Sequence, residues 1–497
     1  MFKSLSEIDI KALCHGKTFF PSPTAWEDLV IYFLLPDRFS DGHESDYIDN
    51  DGVKVTNGIT PLYREFDRNE ATTEEEQRVW REAGGRWVGG KIKGITSKIG
   101  YLKRLGVSAI WVGPVYKQVP FQPTYHGYGI QNYLEIDEHL GTVDDFKALV
   151  EMAHQNGIYV IMDIILNHAG HVFSYEPEVC TYQDEKGSFP RWNGATFPVK
   201  GFNNAAGLPT IPFQPWAPEN AAGPDDAVWP GEFQNPETFT QKGRMVDPDN
   251  YPEYIDGDFE YLKDLHLGTG SIDNYSPSSA LKSLCEVYKY WIALTDLDGF
   301  RMDTVKHMDK GAVRYFAWTI HEFAQSIGKE NFYLIGEISG PREYAFHTLE
   351  ETGLDAALGL DGVQDKMEYL VKGERNPQEY FDLFTNSMLV GKESHAWFRN
   401  KVVASFDDHD QIRKGRHKAR FCSALEPGQA KLLMLNVSAL NAFSLGIPCI
   451  YYGSEQCFDG EGDNDQYIRE AMFGGDFGPF RSRHRHCFNE DEWVYRE

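Results

Sequence analysis

The stretch TVDDFKALVEMAHQNGIYVIMDIILNH, residues 142–168, changes its apolar period partway along. From 142 to 157 it is amphipathic with helical spacing, and from 158 to 166 the run IYVIMDIIL is almost continuously apolar. An amphipathic helix feeding a strand without a polar face predicts a buried parallel sheet with helices outside it. The fold then turns on how often that pair repeats.

It repeats in both directions. Upstream, DLVIYFLLPDRF (28–39) reads as a strand, ITSKIGYLKRLG (95–106) as a helix and SAIWVGP (108–114) as the next strand. Downstream come a helix at 278–296, strand GFRMDT (299–304), a helix at 312–328, strand FYLIGEI (332–338) and a helix from 341. LDAALGL (354–360), helical pieces to 390, strand KVVASF (401–406), helix GQAKLLMLNVSALNAF (428–443) and strand IPCIYYG (447–453) complete the series. Eight strands separated mostly by helices predict an α/β fold closed into a (β/α)8 TIM barrel, where a doubly wound sheet more often uses fewer.

Between 169 and 275 the alternation fails, and Pro, Gly, Asn and aromatics, among them Trp192, Trp216 and Trp229, take over. So many aromatics argue for a folded, irregular subdomain inserted after the third strand rather than for disorder. The expected organisation is an N-terminal extension at 1–27, a barrel from 28–168 and 276–497, and the inserted subdomain at 169–275.

Composition narrows the partners. The 497 residues carry 48 basic and 75 acidic side chains, a formal charge of -27, which argues against nucleic acid or an anionic membrane as partner. The exception, RSRHRH at 481–486, reads as a solvated or substrate-side loop. Seven Cys without a CxxC pair read as mostly reduced thiols. No run approaches the ~18 apolar residues of a membrane span, and MFKSLSEIDIKALCHG lacks a signal peptide's apolar core, so the expected location is cytoplasmic.

Polar residues gather at one end of the strands. Asp37 and Arg38, Asp163 to His168, Arg301 and Asp303, Glu337, Asp407 to Asp410, and more weakly Pro114 and Glu455, all follow apolar runs on the side where such barrels carry active sites. Arg301 and Asp303 share a strand face, as a structural ion pair or as a carboxylate kept ionised for chemistry. Asp303 and Glu337 stand on neighbouring strand ends, where two carboxyls can act as a pair, one as nucleophile and one as acid/base. Arg301 would hold Asp303 ionised, and burial behind an apolar LIG run would keep Glu337 protonated.

DIILNH (163–168), GFRMDTVKH (299–307), IGEI (335–338) and FDDHD (406–410) resemble, in order, four sequence regions of the α-amylase superfamily of glycoside hydrolases, and YHGYGIQNYLEIDEHLGT (125–142) is similar to its segment after the second strand. The resemblance implies Asp303 as nucleophile, Glu337 as acid/base and Asp410 as the carboxylate that stabilises the transition state. It implies that Arg301, His126, Tyr128, His168 and His409 surround the sugar beside the cleaved bond, that Lys306 and His307 line the leaving-group side, and that Asp465 and Arg469 of DNDQYIREA lie on the far side. For the last pair a helical i,i+4 salt bridge is the alternative.

It further implies Ca2+ held by Asn167, Asp264 and the His307 carbonyl, with a plain surface-loop role for Asp264 as the rival. The acidic string DGHESDYIDNDG (41–52) reads more readily as a solvated loop than as a second ion site. Gly129 stands where many relatives carry a bulky aromatic, so the wall beside the cleaved sugar is expected to be open. Asp407 and Asp408 replace a frequent Glu and Asn. The chain ends at NEDEWVYRE, which looks like the start of an eighth barrel helix, without the family's C-terminal β-domain. The implied activity is retaining hydrolysis of α-1,4 bonds in starch, glycogen or maltodextrins, with a cyclodextrin-forming transglycosylase or a non-catalytic glucan-binding relative as alternatives. The presence of all three carboxylates weighs against the last.

Overall fold

The computed structural model describes residues 2–44, 47–59, 84–219, 222–360, 362–384, 394–411, 414–425, 427–444 and 446–472. RSRHRH (481–486), NEDEWVYRE and part of the 41–52 string, residues 45 and 46, lie outside them, as does the end of the helical stretch expected to reach 390.

Eight parallel strands form the centre: β1 (Ile31–Leu34), β2 (Ala109–Val112), β3 (Tyr159–Ile164), β4 (Gly299–Met302), β5 (Tyr333–Gly340), β6 (Ala356–Leu360), β7 (Val403–Ala404) and β8 (Ile447–Tyr451). Their hydrogen-bonded order is β6-β5-β4-β3-β2-β1-β8-β7, and a parallel bridge between Ala357 and Val402 joins the two ends. This is the (β/α)8 barrel expected, nearly closed, with its seam between β6 and β7.

Helices follow the strands: α1 (Ile99–Leu105), α2 (Val143–Gln155), α3 (Ser279–Thr295), α4 (Lys310–Ser326), α5 (Arg342–Thr352), α6 (Val363–Lys372) and α7 (Pro427–Phe443). Helix α2 starts where the local chemistry dictates. The Thr142 hydroxyl accepts from Asp145 N–H, and the Asp145 carboxylate accepts from Thr142 N–H, satisfying two donors a helix start leaves open. Phe146, Leu149, Val150 and Ala153 form its buried stripe. Asp298, just before β4, is fully buried and accepts from Val160 N–H (2.8 Å), His154 Nε2 (2.8 Å) and Lys329 Nζ (2.9 Å), tying β3, β4, α2 and the α4–β5 connection together below the barrel.

Several strands are shorter than their apolar runs. The stretch 28–39 leaves extended structure after Leu34, because Pro36 opens a helical turn, Pro36–Phe39. Strand 401–406 contracts to two residues, and the helix expected at 95–106 breaks at Lys98, a buried cation paired with Glu44 at 2.9 Å.

The chain between β3 and α3 builds short antiparallel pairs, Phe173–Tyr175 with Val199–Phe202, Tyr182–Asp184 with Gly187–Phe189, and Gly268–Ser271 with Asn274–Pro277. Lys263 organises part of it. Its buried ammonium pairs with Asp258 at 3.0 Å and lies 4.6–4.9 Å from the rings of Phe173, Tyr175 and Phe189. His168–Ala169, just past β3, pairs with Lys263–Asp264 and joins this region to the barrel rim.

Candidate active site

Strand alternation selects which side chains enter the barrel. On β4, Phe300 points outward, its ring 5.6 Å from Tyr288 of α3, so Arg301 points inward. Parallel register sets Arg301 beside Asp163 of β3. Arg301 Nη1 donates to Asp163 Oδ1 and to Asp303 Oδ1, both at 2.9 Å, and Nη2 lies 3.0 Å from Glu337 Oε2. One fully buried guanidinium therefore serves three carboxylates from β3, β4 and β5. Trp111 Nε1 (3.0 Å) and the Tyr128 hydroxyl (3.1 Å) also donate to Asp163, and Phe33 of β1 stacks on Trp111 at 3.7 Å.

The chain leaves β4 at Met302, and Thr304 then takes a left-handed conformation, φ 50°. A β-branched residue avoids that region unless its surroundings enforce it. Here it aims the Thr304 N–H at Glu337 Oε2, 3.0 Å away. Lys306 and His307 follow in the turn Val305–His307.

The third carboxylate arrives from the other side. Asp410 meets Arg469 Nη2 at 2.5 Å and His409 Nε2 at 3.1 Å, while His409 Nε2 also lies 2.9 Å from the Tyr128 hydroxyl. Asp408 Oδ1 accepts from Asp410 N–H (2.7 Å) and fixes the turn. Asp407 accepts from Phe421 N–H (2.9 Å) and the Ser454 hydroxyl (3.1 Å), and both Asp407 and Asp408 line the same cavity as Asp410. A cavity of about 100 Å³ is lined by Arg301, Glu337, His409 and Asp410 together with Phe33 and Trp111.

Burial governs the charges. It pushes Asp303 up to about 7, against Arg301, with Asp163 and Asp410 adding to the rise. It pushes Glu337 up to about 7 as well, again against Arg301, and Asp163 to about 6. This corrects the expectation that Arg301 simply holds Asp303 ionised, because a single cation shared by three buried carboxylates does not offset the loss of water around all of them. Burial thus lifts both Asp303 and Glu337 above the ordinary carboxylate range, against the pull of Arg301. For Asp410 burial also disfavours charge, but His409 and Arg469 outweigh it and bring the carboxyl down to about 2. Burial takes His126, His168 and His409 down to about 3, so near neutral pH they act as uncharged hydrogen-bonding rings.

The other expected residues divide. His126 stacks on Tyr128, and its Nδ1 accepts from Tyr128 N–H at 3.1 Å. Asp465 lies 3.4 Å from Arg469 as the i,i+4 reading expects, but in a 3-10 turn, Asp465–Ile468, and Arg469 is committed more closely to Asp410. Lys306 Nζ is 2.5 Å from Asp249, and His307 Nδ1 donates to Tyr254 O at 2.9 Å, so both are engaged by the 246–256 segment. Gly129 leaves no room for a side chain of its own. A Cβ there would sit 2.9 Å from Thr124 Cγ2, so Thr124 already fills the place expected to be empty. Asp163 was legible as a strand-end carboxylate but not as the shared partner of Arg301, because register between distant strands is not written in either one.

The expected cation ligands do converge. Asn167 Nδ2 donates to Asp264 Oδ1 (2.9 Å) and to the His307 carbonyl (3.1 Å), and Asp264 is buried, not a surface-loop residue. Burial and the nearby Asp258 push Asp264 well up. The Asp264 carboxylate and the His307 carbonyl are hard oxygens of the kind a calcium-type ion takes, but the Asn167 NH2 already bridges them, and a calcium ion would need several more oxygens than these. Among the described residues no group of three or more His, Cys, Asp or Glu is arranged around a metal, so such an ion would rely on the amide and the carbonyl. In the acidic string, Asp49 accepts from Asp51 and Val53 N–H, and Asn50 bonds Thr96 and Gly100, leaving ordinary turns.

Fold and site together define a (β/α)8-barrel protein with a buried carboxylate cluster at the C-terminal ends of its strands. Residues 33–488 match the family model for the alpha amylase catalytic domain, and the chain belongs to that family of glycoside hydrolases. It is 29% identical over 410 residues to an alpha-amylase of Streptomyces lividans, covering 78% of this chain and 42% of that protein. It is 26% identical over 476 residues to a cyclomaltodextrin glucanotransferase of Klebsiella oxytoca, covering 90% of this chain and 62% of that one. The chain thus spans about half the length of these relatives. A solved cyclomaltodextrin glucanotransferase with a three-domain distribution shares the fold at a TM-score of 0.60 and 24% identity, covering 92% of this chain and 78% of that one.

Proposed function

We propose that the chain is a retaining glycoside hydrolase that cleaves α-1,4-glucosidic bonds in starch, glycogen or maltodextrins by double displacement. The observation that carries the reading is the sharing of Arg301 by Asp303 and Glu337, with the charged Asp410 opposite. In this scheme Asp303 attacks the anomeric carbon as Glu337 protonates the departing oxygen, and Glu337 then takes a proton from water as the ester on Asp303 is hydrolysed. Charge does not separate the two roles, since both carboxyls titrate near 7. Their assignment rests on the motifs GFRMDTVKH and IGEI. Asp410, held ionised by Arg469, would stabilise the oxocarbenium-like transition state, and neutral His126, His168 and His409 with Tyr128 would bond sugar hydroxyls.

Asn167, Asp264 and the His307 carbonyl would hold a calcium ion that cross-links the rim of β3, the inserted segment and the turn after β4, a structural contribution. A transglycosylase is the second reading, favoured by the similarity to cyclomaltodextrin glucanotransferases along 90% of the chain. Treatment with a 5-fluoro-α-glucosyl fluoride, which accumulates the glycosyl-enzyme, followed by peptide mass spectrometry tests the assignment. The label is expected on the peptide containing Asp303, and a label on Glu337 overturns it.

A further inference from the structure

The backbone around Asp410 is caught between an anion and a cation. On the amide side, Asp408 Oδ1 accepts from Asp410 N–H (2.7 Å) and from Gln411 N–H (2.5 Å). On the carbonyl side, Lys418 Nζ donates to Asp410 O (2.5 Å) and to Gln411 O (3.1 Å). The turn that these four bonds hold is not one the chain adopts freely. Gln411 sits at φ 42°, in the left-handed region that a residue with a side chain avoids unless its surroundings enforce it.

Lys418 is itself held in place for this contact. Its strand, Lys418–Ala419, pairs antiparallel with Glu461–Gly462. The Gln411 side chain returns to the same strand, its Oε1 accepting from Ala419 N–H (2.8 Å) and its Nε2 donating to Ala419 O (2.7 Å). Lys418 is only 9% exposed, and Asp465 Oδ1 lies 3.4 Å from its ammonium. Charge-assisted bonds from a buried ammonium to two successive carbonyls are strong and fix the peptide units that carry them. Lys418 therefore braces the stretch of backbone from which the Asp410 carboxylate reaches Arg469 and His409. Its charge acts in the same sense. Burial disfavours an ionised Asp410, and Lys418 follows His409, Arg469 and Arg301 among the groups that favour one.

We infer that Lys418 is a positioning residue for the reaction, which braces the carbonyls of Asp410 and Gln411 so that the Asp410 carboxylate stays aimed at the charge developing on the sugar. This rests on the glycosidase reading above, in which Asp410 stabilises the oxocarbenium-like transition state. Lys418 touches no reacting atom in this scheme. Its loss acts through Asp410, and so lowers the rate of the chemical step more than the affinity for substrate.

The test is a double-mutant cycle on α-maltotriosyl fluoride, an activated donor that keeps the weak rate of Asp410→Asn measurable, with rates expressed per folded molecule. Lys418→Met keeps the stem and removes the ammonium, and is expected to lower kcat about tenfold or more while KM moves less than about threefold. Lys418→Arg, which can still donate to both carbonyls, is expected to restore most of the rate. In Asp410→Asn, where the carboxylate to be aimed is gone, Lys418→Met is expected to cost less than about twofold further. Lys418→Gln, a neutral donor, runs the same cycle with the same expectations should Lys418→Met not fold. An equal loss in both backgrounds, or a kcat within about twofold of wild type for the single variant, overturns the positioning role while leaving the glycosidase reading in place. A wild type that releases no fluoride overturns the glycosidase reading, and this proposal with it.

Discussion

Asp298 and Asp303 flank one short strand, both buried, and they differ in what surrounds the carboxylate. Asp298 accepts from Val160 N–H and His154 and pairs with Lys329, a cation it shares with Asp296. Asp303 shares one guanidinium with Asp163 and Glu337. Undercompensated burial raises Asp303 to about 7 and Glu337 likewise, which is how a carboxyl becomes useful at neutral pH. The same burial costs stability. Both groups bind protons more tightly folded than unfolded, so between about pH 4 and 7 the folded state holds the excess protons and stability falls as pH rises. Asp303→Asn should therefore reduce kcat by roughly 10³-fold or more. It should also raise Tm above wild type at pH 8, by on the order of 1 kcal/mol or more in stability. Thermal melts between pH 4 and 8 check this, since the gap should close toward pH 4, and a pH-independent gap would contradict the burial argument.

Among the elements, Asp298 works as a joint. Truncating it leaves Lys329 buried without one of its carboxylates and two further donors unmet, so Asp298→Ala should destabilise by about 3–5 kcal/mol, read from denaturant unfolding. A loss below 1 kcal/mol would show the joint to be dispensable. Helix α2 gives a milder case, in which Thr142→Ala removes one half of the capping box and should cost about 1 kcal/mol. A cap is local, its two partners lying within one turn of each other in the chain. The αL turn at Thr304 was not legible in sequence, because nothing in DTVKH says that the N–H must reach Glu337 on the next strand. The same limit hid the Asp249–Lys306 pair, whose partners are 57 residues apart.

Over the whole molecule, the sequence carried the barrel because its periodicities are repeated eight times, each repeat supporting the next. The site was legible as a set of strand ends, since the C-terminal asymmetry of Asp163, Asp303, Glu337 and Asp410 needs no three-dimensional knowledge. What was not legible were relations across strands, namely the shared guanidinium and the packing of Thr124 against Gly129. The joining of inserted segment and barrel at Asn167, Asp264 and His307 also predicts a global response. If calcium binds there, a chelator should lower Tm by several degrees and added Ca2+ restore it, and Asp264→Asn should abolish the response. A Tm indifferent to chelator and calcium would remove the ion from the account.

The central claim is retaining cleavage by Asp303 and Glu337, and time-resolved proton NMR of the anomeric region during action on maltoheptaose tests it most directly. The account predicts shorter maltodextrins, linear or transferred, released first as α-anomers. Initial β-anomers, or no turnover by a folded protein, would contradict it.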